Sequence, residues 1–136
     1  MNETVIRSFI QHIIVVLRKK RAGQVQIACH TYNPHIGREQ RSALILTSNG
    51  NWLVQYPSGD TRQLQEPVSL DDILSKYARL EDQEFAKFVG PSHLYDDQET
   101  EEVYRKRCDK YVKQHKKELM EKFAQKLRKV AVLISA

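Results

Sequence analysis

The sequence predicts an α+β protein with an N-terminal helix, a small antiparallel β-meander of three or four strands, short helices and a long C-terminal amphipathic helix. Three observations predict this class. Apolar residues recur with the helical period near both ends, they alternate in the middle of the chain, and Asn49-Gly50 separates two alternating runs. A chain of 136 residues has the usual length of one domain. We therefore expect residues 1–136 to form a single domain.

The first helix is predicted over residues 3–20. Asn2 precedes it as a candidate N-cap and Gly23 follows it as a candidate C-terminal cap. Four cations at its end suit the negative end of the helix dipole, and the alternative role for them is phosphate binding. We name these four the N-terminal basic cluster: Arg18, Lys19, Lys20 and Arg21. The apolar face comprises Ile6, Phe9, Ile10, Ile13, Ile14 and Leu17.

The strands are predicted from alternation with period two, bounded by turn residues. Asn49-Gly50 is the strongest hairpin signal in the chain, because both residues tolerate positive φ and suit a two-residue turn. Such a turn pairs Leu46 with Leu53. The predicted strands are residues 24–30, 42–48, 51–56 and 61–65.

That register gives the sheet two different faces. One face is aliphatic, and we expect Leu46 and Leu53 to be buried on it in mutual contact. The other face carries Trp52 and Tyr56, which suit either a stacking platform for bases or a second core layer under a helix or another subunit. Because amphipathic helices are available to cover a small sheet, we favour the covered interpretation.

After Pro67 the helical period returns. Ser69 followed by Asp72 matches the start of a capping box, and it predicts a helix through Leu80. A short helical turn follows at residues 85–89, and Gly90-Pro91 ends it. The next polar loop leads into the long helix.

The long helix, placed at residues 97–136, carries two stripes. Its apolar stripe is a candidate interface, and the helix is available to project from the domain or to mediate assembly. The interface candidates are Tyr104, Tyr111, Leu119, Phe123 and Leu127. The second stripe, which we name the lysine row, comprises Lys106, Lys110, Lys113 and Lys117.

Charge is segregated along the chain. The formal charge of +5 divides into +5 over residues 1–56, −6 over residues 57–100 and +6 over residues 101–136. An acidic middle can neutralise basic ends on folding, so the basic balance favours a polyanionic partner only modestly.

Several classes of protein lack support in the sequence. Cys29 and Cys108 are isolated, which favours a reducing compartment and a cytoplasmic location over a disulfide framework. The apolar run at residues 9–17 is too short to span a bilayer, so we predict neither a signal peptide nor a membrane helix.

Catalytic and metal-binding patterns are similarly weak. Cys29, His30 and His35 lie close in sequence but lack a fourth ligand at a recognised spacing, and His93 lacks a nucleophile. There is no phosphate-binding loop, dinucleotide fingerprint or GxSxG motif. We therefore predict no catalytic residue, metal or cofactor, with a nuclease of dispersed ligands as the enzymatic alternative.

Two functions remain. The first is a small intracellular nucleic-acid-binding or nucleoprotein-accessory protein, in which the N-terminal basic cluster and the lysine row contact phosphates and Trp52 and Tyr56 contact bases. The alternative is a non-enzymatic assembly module, in which the apolar stripe docks on a protein partner or on a second copy. The excess of cations over acids on the long helix favours the first.

Overall fold

The computed structural model describes residues 1–32, 40–89 and 101–136. Within these residues, four helices and four strands follow one another in the predicted order, which confirms the α+β class. The predicted loops at residues 33–38 and 90–98, with His35 and His93, lie outside the described residues. The elements are α1 (Glu3–Lys19), β1 (Gln24–Tyr32), β2 (Gln40–Thr47), β3 (Trp52–Gln55), β4 (Thr61–Gln63), α2 (Leu70–Glu81), α3 (Gln83–Val89) and α4 (Glu101–Ser135).

Local side-chain caps begin α1 and α2 where the sequence predicts them. Asn2 Oδ1 accepts a hydrogen bond from the backbone N–H of Val5 at 3.0 Å, and Ser69 Oγ accepts one from the N–H of Asp72 at 3.1 Å. Each cap satisfies a backbone donor that the first helical turn leaves unpaired.

The four strands form one antiparallel sheet in the order β1-β2-β3-β4. The register of the β2–β3 hairpin differs from the prediction: Leu46 pairs with Trp52, and Ile45 pairs with Leu53. The cause is the turn. Gly50 N–H donates to the carbonyl of Thr47 at 3.0 Å, and only Gly50 of the two expected turn residues has a positive φ, at 83°. The loop therefore has three residues, ending in a left-handed glycine, instead of two.

A shift of one residue exchanges the two faces of β3. Trp52 is 4% exposed and joins Leu44 and Leu46 in the core, whereas Leu53 lies half-buried on the opposite face. The predicted contact of Leu46 with Leu53 is therefore wrong. The Trp52 ring lies 6.3 Å from that of Phe123, centroid to centroid, so α4 covers the aromatic face of the sheet.

Helix α4 packs along α1, α2 and α3. Its apolar stripe lies inside the chain's own core, because Tyr111, Leu119, Phe123 and Leu127 are all buried there and only Tyr104 of the five interface candidates is half-buried. The expectation that this stripe projects to meet a partner is thus corrected.

Two ion pairs hold α4 to α2. Lys116 Nζ lies 3.0 Å from Asp71 Oδ1, and Lys126 Nζ lies 2.9 Å from Glu81 Oε1. Between the two halves of α4, His115 has non-helical angles (φ −118°, ψ 19°) that kink the helix. Among the described helices, none is both long and apolar enough to cross a membrane.

Candidate functional site

The lysine row lies on the solvent face of α4. Lys106 and Lys110 each stand two residues from the buried Cys108, which places them about 200° around the helix from it. All four side chains are exposed. From Lys106 to Lys117 the row extends about 16 Å along the helix at 1.5 Å per residue.

Most of the row is unpaired. Lys106 lies 3.6 Å from Glu102 in a solvent-exposed ion pair. Lys110, Lys113 and Lys117 have no ion pair with any carboxylate in the part of the chain that the structure describes. Three ammonium groups are thus open to an external anion.

The N-terminal basic cluster lies elsewhere. Its four side chains are exposed at the end of α1, but Arg18 Nε donates to the carbonyl of Ser48 at 2.8 Å and Lys20 Nζ donates to the backbone oxygen of Ala136 at 2.6 Å. Ala136 follows Lys117 by nineteen residues, which is about 28 Å along a helix. The structure therefore does not bring the basic cluster and the lysine row together.

The two predicted stacking residues have different environments. Trp52 is buried under α4, so its ring offers no face to a base, and that expectation is corrected. Tyr56 is half-buried at the end of β3, where the Arg62 guanidinium lies 5.7 Å from its ring centroid.

Tyr56 lies at the edge of a cavity of about 480 Å³, which we name the hairpin cavity. Three parts of the fold line it: the β3–β4 hairpin, the middle of α2, and the first two turns of α4. Its charged lining consists of four cations and three acids. The lining residues are Tyr56, Ser58, Asp60, Arg62, Asp72, Ser75, Lys76, Arg79, Tyr104, Arg105, Cys108 and Asp109.

Lys76 is a half-buried cation in the wall of this cavity. Burial lowers the pKa of its ammonium, and the positive charge of Arg79 lowers it further, while Asp72 acts in the opposite direction. Among the described residues, no carboxylate lies within ion-pair distance of Lys76 Nζ, and no acceptor lies within hydrogen-bond distance. An anion placed here would gain from a charge that the fold leaves unmatched.

Tyr104 forms part of the same wall. The Arg79 guanidinium lies 4.9 Å from the centroid of the Tyr104 ring, and the Arg107 guanidinium lies 5.6 Å from the same centroid. The ring therefore makes cation–π contacts with two arginines of the chain itself. Burial raises the pKa of the Tyr104 hydroxyl, and the side chains of Arg79 and Cys108 lie within hydrogen-bonding reach of it.

Sequence reasoning missed this cavity. Lys76, Arg79 and Arg62 fall in the segment whose net charge is negative, and they come together only when β4, α2 and α4 converge. The spacing of Lys76 and Arg79, three apart on one helix, is the only local signal. Of the two described metal-ligand candidates, neither Cys29 nor His30 belongs to a group of three donors among residues 1–32, 40–89 and 101–136.

Comparison of the chain with protein-family models, with curated proteins and with solved structures gives no match.

Proposed function

We propose that the chain binds nucleic acid without sequence specificity, as a nucleic-acid-binding or nucleoprotein-accessory protein, through the lysine row of α4. The observation that carries the proposal is that Lys110, Lys113 and Lys117 are exposed along one face with no described carboxylate partner. Ammonium groups spaced over about 16 Å match several consecutive phosphates, which follow one another at about 3.4 Å per strand.

The contrast with other lysines of α4 supports this assignment. Lys116 and Lys126 lie on the side facing α2, and each pairs with an acid at 3.0 Å or less. These two lysines of the inward side therefore have acidic partners on α2, whereas among the described residues Lys110, Lys113 and Lys117 of the outward row have none, and Lys106 pairs only with the exposed Glu102 of its own helix. Solvation alone requires no such row, although it is compatible with one.

Most residues that the assembly-module hypothesis assigns to an interface are buried within the chain. Leu119, Phe123 and Leu127 are at most 1% exposed within the chain, so they are not available to a partner while the fold is intact. We also assign the phosphate contact to the lysine row alone, because the N-terminal basic cluster lies at the far end of α4.

The test is a salt titration of binding to a fluorescein-labelled DNA duplex, measured by anisotropy. The variant Lys110→Gln, Lys113→Gln, Lys117→Gln removes three contacts. It should lower affinity and reduce the magnitude of the slope of log K against log salt by about 2 to 3, since each phosphate contact contributes about 0.9.

A matched control removes the same charge from other exposed positions: Lys87→Gln, Lys122→Gln, Lys129→Gln. The control should keep the slope of the parent, and circular dichroism melts should show both variants folded. Equal losses in the two triple variants would attribute binding to net charge and not to the row. Absence of binding by the parent at low salt would refute nucleic-acid binding altogether.

A further inference from the structure

We propose that the hairpin cavity binds a small phosphate monoester, with its phosphate held between Lys76 and Arg79 on α2 and Arg105 on α4. The body of the ligand would lie toward the hydroxyl and carboxylate groups of the hairpin. This inference is independent of nucleic-acid binding by the lysine row, because none of the four lysines of the row lines the cavity.

The dimensions of the cavity suit such a ligand. Its volume of about 480 Å³ lies within the usual range for small-molecule sites, roughly 300 to 1,000 Å³. Three separate elements build its walls, so it is a feature of the folded chain and not of one helix surface.

The charges of the cavity favour an anion. Lys76 and Arg79 stand one turn apart on α2, and both Arg79 and Arg105 disfavour the protonated form of Lys76. Similarly half-buried lysines elsewhere in the fold have an acid close by, as Lys116 has Asp71 at 3.0 Å. Lys76 has no such partner among the described residues, although Asp72 precedes it by one turn. A dianionic phosphate would supply the missing charge and accept hydrogen bonds from lysine and arginine together.

The remaining lining indicates an ester and not a bare ion. Ser58 and Ser75 contribute hydroxyl groups, while Asp60 and Asp109 contribute carboxylates. Carboxylates repel an extended polyanion, but they accept hydrogen bonds from the hydroxyl groups of a sugar. A cavity that offers both cations and hydrogen-bond acceptors matches a phosphorylated polyol or a mononucleotide better than a nucleic-acid strand.

Isothermal titration calorimetry with four probes tests the proposal: adenosine 5′-monophosphate, ribose 5-phosphate, inorganic phosphate and adenosine. We expect binding of at least one monoester, weaker binding of inorganic phosphate and none of adenosine. If only the nucleotide binds, the base contributes; if both esters bind alike, the sugar phosphate suffices. Three results would overturn the proposal. They are equal affinities for adenosine and its monophosphate, an affinity for inorganic phosphate equal to that for the esters, and no binding of any probe.

Variants then locate the site. Lys76→Met should weaken monoester binding about tenfold or more, the usual effect of losing one charge-assisted hydrogen bond. Lys129→Met, at an exposed position on the far half of α4, should leave binding unchanged. Removing the unmatched charge at Lys76 should keep the melting temperature of the free protein at or above that of the parent. Unchanged affinity in Lys76→Met would place the ligand outside the cavity.

Different results would refute the monoester site and nucleic-acid binding by the lysine row. The lysine-row variant (Lys110, Lys113 and Lys117 to Gln) should bind the monoester like the parent, because these side chains lie on the outward face of α4. If the lysine-row variant lowers the affinity for the monoester and Lys76→Met does not, the phosphate binds to the row and the cavity site is refuted.

Discussion

Replacing Leu46 and Leu53 separately with alanine tests the register of the β2–β3 hairpin. In the structure Leu46 is fully buried in the core and pairs with Val25 on one side and Trp52 on the other. Leu53 points to the opposite face, is half-buried and pairs with Ile45. A two-residue turn would instead place both leucines on the same face, where the two changes would have similar effects.

The expected magnitudes follow from burial. Truncation of leucine removes three carbon atoms, whose transfer from water contributes about 0.8 kcal/mol for each methylene, or about 2.4 kcal/mol when all are fully buried. At Leu46 the closed core adds a cavity penalty, so the loss of unfolding free energy should reach about 3 to 4 kcal/mol. At Leu53 water already reaches part of the side chain and no closed cavity forms, so the loss should be about 1 kcal/mol.

Urea unfolding followed by tryptophan fluorescence measures both losses. Trp52 is the single tryptophan of the chain and is buried beside Leu46, so its emission reports the opening of this core. The slope of free energy against urea should stay constant if the variants alter stability alone. Equal losses of unfolding free energy at the two positions would contradict the three-residue loop. They would indicate the two-residue turn, with Trp52 on the solvent side.

Two further changes test burial and backbone geometry. Burial and the nearby Glu81 carboxylate raise the pKa of Tyr77 from 10.0 to about 12, so the unfolded chain loses this proton first as the pH rises. Stability should therefore fall between pH 10 and pH 12, by up to about 2.7 kcal/mol at about 1.36 kcal/mol per pKa unit, and Tyr77→Phe should lessen that fall in alkaline melts. Gly50→Ala should cost about 1 kcal/mol because Gly50 has φ 83°, while the added Cβ meets Ile14 only at 3.6 Å. Gly23→Ala, where a Cβ meets nothing within 4 Å, should change the melting temperature little.

The sequence correctly predicted the features that depend on interactions between neighbouring residues. Asn2 and Ser69 satisfy donors three residues away, so their roles depend on a few neighbouring atoms and are visible in the sequence. The buried faces of α1 and α2 follow from helical spacing in the same way.

The hairpin register shows where local prediction failed. Asn49-Gly50 correctly marked a turn, but a two-residue turn of the expected type needs a positive φ at both residues, and Asn49 does not adopt one. The backbone N–H of Asn51 donates to Thr47 Oγ1 at 3.1 Å, a bond that favours the longer loop. The dipeptide alone did not indicate this contact, and one residue of slip was enough to exchange the faces of β3.

The hairpin cavity could not be predicted for a different reason. Arg62, Lys76 and Arg105 belong to three elements, and their proximity depends on how those elements pack. Counting charge by segment gave the middle of the chain a negative sign and so obscured the cations that this segment contributes. The lysine row, by contrast, lies on one helix and was predicted from spacing alone.

The kink of α4 lies between the turns that line the hairpin cavity and the last lysine of the row. At His115 the backbone leaves helical geometry, and its ring lies 4.4 Å from that of Tyr111, whose hydroxyl donates to Asp82 Oδ2 at 2.8 Å. Lys116 follows at once and pairs with Asp71 on α2. The kink is thus fixed on both sides by contacts to the α2–α3 segment. Because these contacts anchor the turns on either side of His115 to the α2–α3 segment, they hold the cavity wall of α4 against α2 while the lysines of the row stay exposed to solvent.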